Sequence, residues 1–211
     1  MPGAGTLPRS SRATGAAPSP LPRAAGKPGA CLGLALLFAC ALATAQTIAL
    51  EELKQPGRVL MLRHANAPGN GDPPQFRIDD CATQRNLDAA GRAQARHLGA
   101  RLARAGIATA RVYSSQWCRC LDTATLLGLG TVEPLPALNS FFPAPDQRAP
   151  RIAELRAFLA GLPADGGPVV LVTHQFTISE FTGGGVPSGG GSLFQLDGSR
   201  QPRWLGAIAI D

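Results

Sequence analysis

The chain has 211 residues, enough for one domain and a leader, and its formal charge is +6. Residues 1–45 hold four of the 20 basic residues and none of the 14 acidic ones, so the remainder carries only +2. The high charge therefore belongs mostly to the N-terminal segment. Because no basic run interleaved with aromatic residues follows it, we do not expect the protein to bind nucleic acid.

Residues 1–45 have the layout of a leader, and residues 46–211 that of a folded domain. Residues 1–29 are rich in Pro, Ala, Ser and Gly, and the apolar stretch CLGLALLFACALATA follows at residues 31–45. This stretch ends in a small-x-small sequence before Gln46. The pattern predicts a secretory signal peptide that is cleaved after Ala45, and therefore an exported protein, periplasmic or secreted.

Three other interpretations of the leader stay open. No charged residue lies between Lys27 and Glu51, which also fits an uncleaved membrane anchor through residues 31–50. Residues 37–40 weakly resemble a lipoprotein cleavage site, and an acid-free leader with arginines also fits an organelle transit peptide. We expect contact with a membrane only if the leader is an anchor or a lipoprotein signal.

Strand-like and helix-like segments alternate from residue 58 onward. Short apolar runs predict strands, and apolar residues at helical spacing predict helices. This alternation, with continuous apolar strands, predicts an α/β fold: a three-layer sandwich of a mostly parallel sheet with helices on both faces. The predicted strands are residues 58–62, 111–113, 131–133, 169–173, 193–196 and 204–210, and the predicted helices are residues 88–106, 117–127 and 152–159.

Three of the predicted strands end in residues that can bind or attack a phosphoryl group. Arg63 and His64 follow the first strand, Arg119 lies shortly after the second, and His174 follows the fourth. In an open α/β sheet, ligands collect outside the carboxyl ends of the strands. Arginine presents a planar fork that matches phosphate oxygens, and a neutral imidazole is a good nucleophile near pH 7. These residues therefore predict a cationic pocket for phosphoryl transfer.

The chain shows neither a P-loop pattern nor the spacing of a zinc site. We therefore expect no metal and no cofactor. The glycine runs at residues 183–185 and 189–191 lack a strand–turn–helix setting, so we interpret them as a flexible loop. We interpret Arg85 as an ion-pair partner of Asp79 or Asp80.

Four motifs resemble those of the histidine phosphatase (phosphoglycerate-mutase-like) superfamily and occur in the family order. Residues 62–65 are similar to its Arg-His signature, and residues 114–124 to its second motif. Residues 172–174 are similar to its third motif, and residues 86–95 to the helix that follows the first loop. The four motifs span most of residues 58–211.

The resemblance implies a metal-independent phosphatase that acts on a small phosphorylated substrate. It makes His64 the nucleophile that carries a phosphohistidine intermediate. Arg63 and Arg119 would bind the phosphoryl oxygens, and His174 would complete the pocket. Asn70 stands seven residues after Arg63, where many members place an Asn that contacts phosphate.

The resemblance does not supply a proton donor for the leaving group. Many members have a Glu where this chain has Asn139, and another branch has an Asp where this chain has Gln175. Asp72 and Asp146 are the candidate acids. The missing acid keeps open a non-catalytic phosphate- or glycan-binding module on the same fold. A phosphohistidine phosphatase, cytoplasmic if the leader is misread, is a further alternative.

Three cysteines follow the leader, namely Cys81, Cys118 and Cys120. An oxidising compartment permits one disulfide between them. Cys118 and Cys120 are two residues apart in a predicted helix and point to different sides, so at most one of them meets Cys81. We prefer Cys118 as its partner, with three buried thiols as the alternative.

Overall fold

The computed structural model describes residues 47–208. The predicted leader and its cleavage site lie outside the described residues, as do the last two residues of the predicted 204–210 strand. Within residues 47–208, none of the helices combines the length and the apolar character needed to cross a membrane.

The described residues form one seven-stranded sheet with the order β1-β7-β6-β2-β5-β3-β4. Strand β6 is antiparallel to its two neighbours, and the other four pairings are parallel. The prediction of a mostly parallel sheet is therefore confirmed. The strands are β1 (Thr47–Ile48), β2 (Arg58–Arg63), β3 (Arg111–Ser114), β4 (Val132–Pro134), β5 (Val169–Thr173), β6 (Gly191–Gln195) and β7 (Arg203–Ile208).

Four α-helices accompany the sheet within the described residues. They are α1 (Ala89–Arg104), α2 (Cys118–Leu127), α3 (Arg148–Gly161) and α4 (Gln175–Thr182). The Asp88 side chain caps α1 by accepting a hydrogen bond from the Gly91 N–H at 2.6 Å. Helix α3 begins four residues before the predicted start. Pro150 is compatible with this start because it lies in the first turn, where a missing N–H costs no helical hydrogen bond.

The two faces of the sheet are covered by different helices. Leu60 and Leu62 of β2 belong to a core cluster with residues of α1 and α2. Val59 and Met61, which alternate with them, belong to a second cluster with residues of α3 and α4. All four side chains are fully buried. The predicted three-layer sandwich, with helices on both faces, is therefore confirmed.

The second glycine run differs from its prediction as a flexible loop. The Gly189 N–H donates to the His64 carbonyl at 3.1 Å, and the Gly190 carbonyl accepts from the Arg63 N–H at 2.8 Å. Gly191 begins β6 so close to β2 that a Cβ there would lie 2.7 Å from the Met61 carbonyl oxygen. These glycines are buried and allow β6 to pair tightly beside the end of β2.

Candidate active site

The sheet register brings the two predicted site histidines together. Arg63 of β2 pairs with Thr173 of β5, so His64 and His174 leave adjacent strands at the same level. The His64 N–H continues the ladder with a 3.0 Å bond to the Thr173 carbonyl. The two imidazole rings meet edge to face with their centroids 5.5 Å apart. Strand β3 pairs with β5 on the other side, and the chain then enters α2, whose second residue is Arg119.

The surroundings of His64 fix the position of its proton. Nδ1 lies 2.8 Å from the Ala65 carbonyl oxygen. Because a carbonyl oxygen only accepts, Nδ1 must carry the proton, and Nε2 keeps its lone pair. The Arg119 Nε–H donates to this Nε2 at 3.3 Å. Burial, together with the positive charges of nearby arginines, lowers the pKa of His64 to about 3 although the Ala65 bond opposes the shift. The ring is therefore neutral at neutral pH.

His174 is held by a chain of buried hydrogen bonds. Its Nε2 lies 2.9 Å from the Ser115 hydroxyl oxygen, which lies 3.2 Å from the Asn139 side-chain oxygen. That oxygen also accepts from the Gln116 N–H at 2.8 Å, which identifies it as the acceptor. The Ser115 hydroxyl therefore donates to Asn139, and His174 donates to Ser115. Burial, then the charge of Arg119, lowers the pKa of His174 well below its usual range.

Asp72 forms a buried ion pair with Arg119. The Arg119 Nη1 donates to the carboxylate at 2.8 Å, and both side chains are nearly inaccessible, with exposures of 4% and 6%. The carboxylate also accepts from the Arg85 N–H and from the Trp117 indole N–H, both at 3.0 Å. Burial raises the pKa of Asp72, but these hydrogen bonds and the Arg119 charge outweigh burial and hold the pKa below its usual range. Asp72 is therefore ionised and positions Arg119.

Arg63 and Asn70 also line the cavity that contains the histidines. The Arg63 Nη1 donates to the Val186 carbonyl at 2.9 Å. Its Nε is buried and has no hydrogen-bond partner among the described residues. One edge of this guanidinium is therefore anchored, while another donor stays free for an anion.

Arg85 occupies a different place from the one predicted. Its Nε donates to the Gly71 carbonyl at 2.8 Å, and its Nη1 donates to the Ala67 carbonyl. It forms no ion pair with Asp79 or Asp80, because Asp80 pairs with Arg77 instead. Arg85 lines the cavity as a third guanidinium, which sequence reasoning missed. The sequence offered no signal for this placement, because the partners of Arg85 are backbone carbonyls.

The cavity has a volume of about 540 Å³. It combines a cationic part with an apolar part. The basic side chains that line it are Arg63, His64, Arg85, Arg119 and His174, and its apolar lining includes Pro73, Pro74, Phe76, Phe142, Pro143 and Phe176.

Solved structures with a similar fold include two phosphatases and a mutase. The protein histidine phosphatase SixA complexed with tungstate is 20% identical, with a TM-score of 0.53 over 72% of this chain and 96% of that chain. Phosphoglycerate mutase from Thermus thermophilus is 21% identical, with a TM-score of 0.52 over 73% and 99%. A mycobacterial glucosyl-3-phosphoglycerate phosphatase is 20% identical, with a TM-score of 0.52 over 72% and 98%. At these identities the similarity shows a shared fold.

The family model described as histidine phosphatase superfamily (branch 1) matches residues 59–141. The match includes His64 and Arg119, which the fold brings to one cavity. Over these residues the chain is similar to the histidine phosphatase superfamily, and this match supports that superfamily for the chain. No curated protein matches the chain at a significant level. His174 lies beyond the matched residues, and the pairing of β2 with β5 is what brings it beside His64.

A phosphoryl-transfer site also has to release a leaving group, and neither predicted acid is placed to protonate it. Asp72 lines the cavity, but it is ionised and accepts three hydrogen bonds. Asp146 is exposed in a short 3-10 helix, is not part of the cavity lining, and accepts a 3.0 Å bond from Gln147. Asn139 stands where many superfamily members have a Glu, and its side-chain oxygen accepts hydrogen bonds from the Ser115 hydroxyl and the Gln116 N–H.

The predicted disulfide between Cys81 and Cys118 is confirmed. It joins a short 3-10 helix in the loop before α1 to the first residue of α2, directly beside Arg119. Cys120, the free cysteine of the described residues, is buried with its Sγ 3.5 Å from the His174 Nε2. Burial raises the pKa of Cys120 to about 12, so it is a thiol at neutral pH.

Proposed function

We propose that the protein is an exported phosphatase that hydrolyses a small phosphomonoester, without a metal, through a phosphohistidine on His64. The observation that carries the proposal is the state of His64. Its proton is held on Nδ1 by the Ala65 carbonyl, and its Nε2 lone pair lies in a cavity with three guanidiniums. Two of the similar folds belong to phosphatases, which supports the same chemistry for this chain.

The first step is transfer of the phosphoryl group to His64. The guanidiniums of Arg63, Arg85 and Arg119 bind the non-bridging oxygens, where charge accumulates in phosphoryl transfer. The Arg119 Nε–H then turns from Nε2 to a phosphoryl oxygen, which frees the lone pair. A bond forms between Nε2 and phosphorus while the bond from phosphorus to the ester oxygen breaks, and its electron pair leaves on that oxygen. The Ala65 carbonyl stabilises the Nδ1–H of the charged phosphoimidazole.

The second step returns the enzyme to its starting state. Water attacks phosphorus, the bond to Nε2 breaks, and inorganic phosphate and neutral His64 result. His174 completes the cavity wall beside His64, and its hydrogen bond to Ser115 fixes the orientation of its ring.

Export is supported by the predicted leader of residues 1–45. The Cys81–Cys118 disulfide agrees with folding in an oxidising compartment such as the periplasm or the cell exterior. A mature N-terminus at Gln46, determined by mass spectrometry, is the expected result. An intact leader on protein recovered from the membrane would instead support the anchor alternative.

The test of the proposed function is hydrolysis of p-nitrophenyl phosphate by the full chain and by His64→Ala. We expect hydrolysis by the wild type, an acid-labile phosphohistidine after rapid quenching, and loss of both signals in His64→Ala. His97→Ala is the matched control, because His97 is exposed on α1, outside the cavity. It should retain full activity.

A non-catalytic phosphate- or glycan-binding module is the second candidate. The observation that favours it is the lack of a protonated acid among the described residues that line the cavity. Binding of inorganic phosphate, with neither hydrolysis nor phosphohistidine in wild type or His64→Ala, would support this candidate and contradict the proposed phosphatase.

A further inference from the structure

Two exposed phenylalanines form an aromatic wall at the cavity. Phe142 is 56% exposed and Phe176 is 46% exposed. Their rings stack with centroids 5.4 Å apart and planes only 3° from parallel. Both belong to the cavity lining. Large apolar side chains that remain exposed together, beside a binding cavity, indicate a surface that a ligand covers.

The aromatic wall is built on the same segments that position the site. Phe176 lies in the first turn of α4, two residues after His174. Phe142 follows the segment in which Asn139 bonds to Ser115, and its ring approaches Gly71 of the loop before α1. A phosphoryl group held by the arginines therefore leaves the rest of its ester beside two phenyl rings. Aromatic rings pair favourably with other rings in stacked or edge-to-face geometry.

The cavity also limits which leaving groups can depart. Asp72 is ionised and saturated with donors, and both histidines are neutral. Among the described residues that line the cavity, no carboxylic acid or imidazolium is therefore ready to protonate a leaving oxygen. Such protonation contributes roughly 10²–10⁴-fold to a rate, and an alkoxide needs it far more than a phenolate does.

The charge of the cavity favours an anionic leaving group over a neutral one. Three guanidiniums line the cavity together with one carboxylate, that of Asp72, so positive charge is in excess. A departing phenolate is attracted by this excess positive charge. An N-phosphorylated imidazole instead departs as a neutral ring once its other nitrogen is protonated, and a neutral ring gains little from this positive charge.

We propose that the substrate is an aryl phosphate, in which a phenolic oxygen carries the phosphoryl group and the ring packs against Phe142 and Phe176. This inference rests on the proposed phosphatase function and specifies its substrate class. The phosphorus–oxygen bond breaks as Nε2 of His64 attacks, and the phenolate departs with the electron pair and takes its proton from water. Water then releases phosphate from His64.

The test compares phosphotyrosine, phosphoserine and N-phosphohistidine as free amino acids, because the three share the same backbone charges. With the full chain we expect kcat/KM for phosphotyrosine to exceed that for phosphoserine by roughly a hundredfold or more. Phe142→Ala and Phe176→Ala should each lower kcat/KM for phosphotyrosine by about tenfold and lower that for phosphoserine much less. Trp204→Ala is the matched control, because Trp204 is 42% exposed but is not part of the cavity lining.

Two results would overturn the aryl assignment while the phosphatase stands. One is a phosphohistidine on His64 formed equally well from phosphoserine or better from N-phosphohistidine. The other is a phosphotyrosine rate that neither phenylalanine variant changes. Absence of phosphohistidine and of phosphate release with all three substrates and with p-nitrophenyl phosphate would instead contradict the proposed function itself.

Discussion

Replacing Asp72 by Asn tests how strongly the buried carboxylate supports both the fold and Arg119. The substitution keeps the size of the side chain and removes its charge. In the wild type the carboxylate accepts from Arg119 at 2.8 Å, from the Arg85 N–H at 3.0 Å and from the Trp117 indole at 3.0 Å. An amide offers one oxygen to these three donors, and its NH₂ group opposes the remaining donor.

The expected loss of stability follows from the burial of the pair. Removing one partner of a buried ion pair costs about 3–5 kcal/mol, because the other charge remains buried without compensation. The amide introduced by Asp72→Asn retains one acceptor, so we expect the lower end, about 3 kcal/mol. The Arg119 guanidinium loses its anchor at the same time, so kcat should fall as well.

The Arg92–Asp122 pair provides a matched control. Its distance of 2.7 Å is like that of the buried pair, but its side chains are 42% and 35% exposed. Exposed pairs contribute roughly 0–1 kcal/mol, so Asp122→Asn should change stability by less than about 1 kcal/mol. The two variants therefore separate the effect of burial from that of pairing itself.

The assay is urea unfolding followed by tryptophan fluorescence, at neutral and at acidic pH. The fold holds the pKa of Asp72 below its usual range. The carboxylate therefore contributes its full stabilisation at pH values above the pKa that the carboxyl has in the unfolded chain. That contribution is lost as the pH falls through the lowered folded pKa. The difference between wild type and Asp72→Asn should therefore shrink in acid. If Asp72→Asn lost no more stability than Asp122→Asn, the expected effect of burial would be refuted. It would also be refuted if the stability difference between wild type and Asp72→Asn did not change with pH.

Two further predictions concern the buried ring and the disulfide. Because the pKa of His64 is lowered to about 3, its NMR ring signals should stay constant from about pH 8 to 5, whereas in urea they should titrate near 6.5. The folded protein should also lose stability below about pH 6.5, since only the unfolded chain takes up that proton; titration of folded His64 near 6.5 would contradict both. Cys81→Ser combined with Cys118→Ser should cost about 4 kcal/mol in urea unfolding, the loop entropy for a separation of 37 residues. Reductant should destabilise the wild type by a similar amount and the double variant not at all. A loss of stability near zero in the double variant would contradict this prediction.

The parts of the fold with strong local patterns were predictable from the sequence. Strand β5 was predicted with its observed bounds, because four of its five residues are apolar and four are β-branched. Helix α1 was predicted from its apolar spacing and from Asp88, which does cap it. Helix α4 was not predicted, because its eight residues are too few to show a clear period and His174 offers no side-chain cap.

The candidate site was predictable to the extent that topology determines it. Residues that end neighbouring parallel strands must meet at one edge, so Arg63, His64 and His174 could be brought together without coordinates. Arg85 could not. Its side chain binds the backbone carbonyls of Ala67 and Gly71, and any residue supplies such acceptors. A loop that binds an arginine through its backbone carbonyls therefore leaves no recognisable pattern in the sequence of its side chains.

The loop before α1 and the start of α2 nevertheless act as one unit, which explains why Arg119 sits where it does. Asp72 and the Arg85 carbonyl both accept from Arg119, at 2.8 and 3.3 Å. The next residue toward the N-terminus, Cys118, is bonded to the loop twice, through Cys81 and through the Gln84 side chain, which accepts from its N–H at 3.0 Å. A helix residue in its first turn has few backbone constraints of its own, so these loop contacts set the position of the guanidinium. The loop that lines the cavity therefore also orients one of the guanidiniums that we propose bind the phosphoryl group. We expect a substitution in this loop to alter that binding without changing a motif residue.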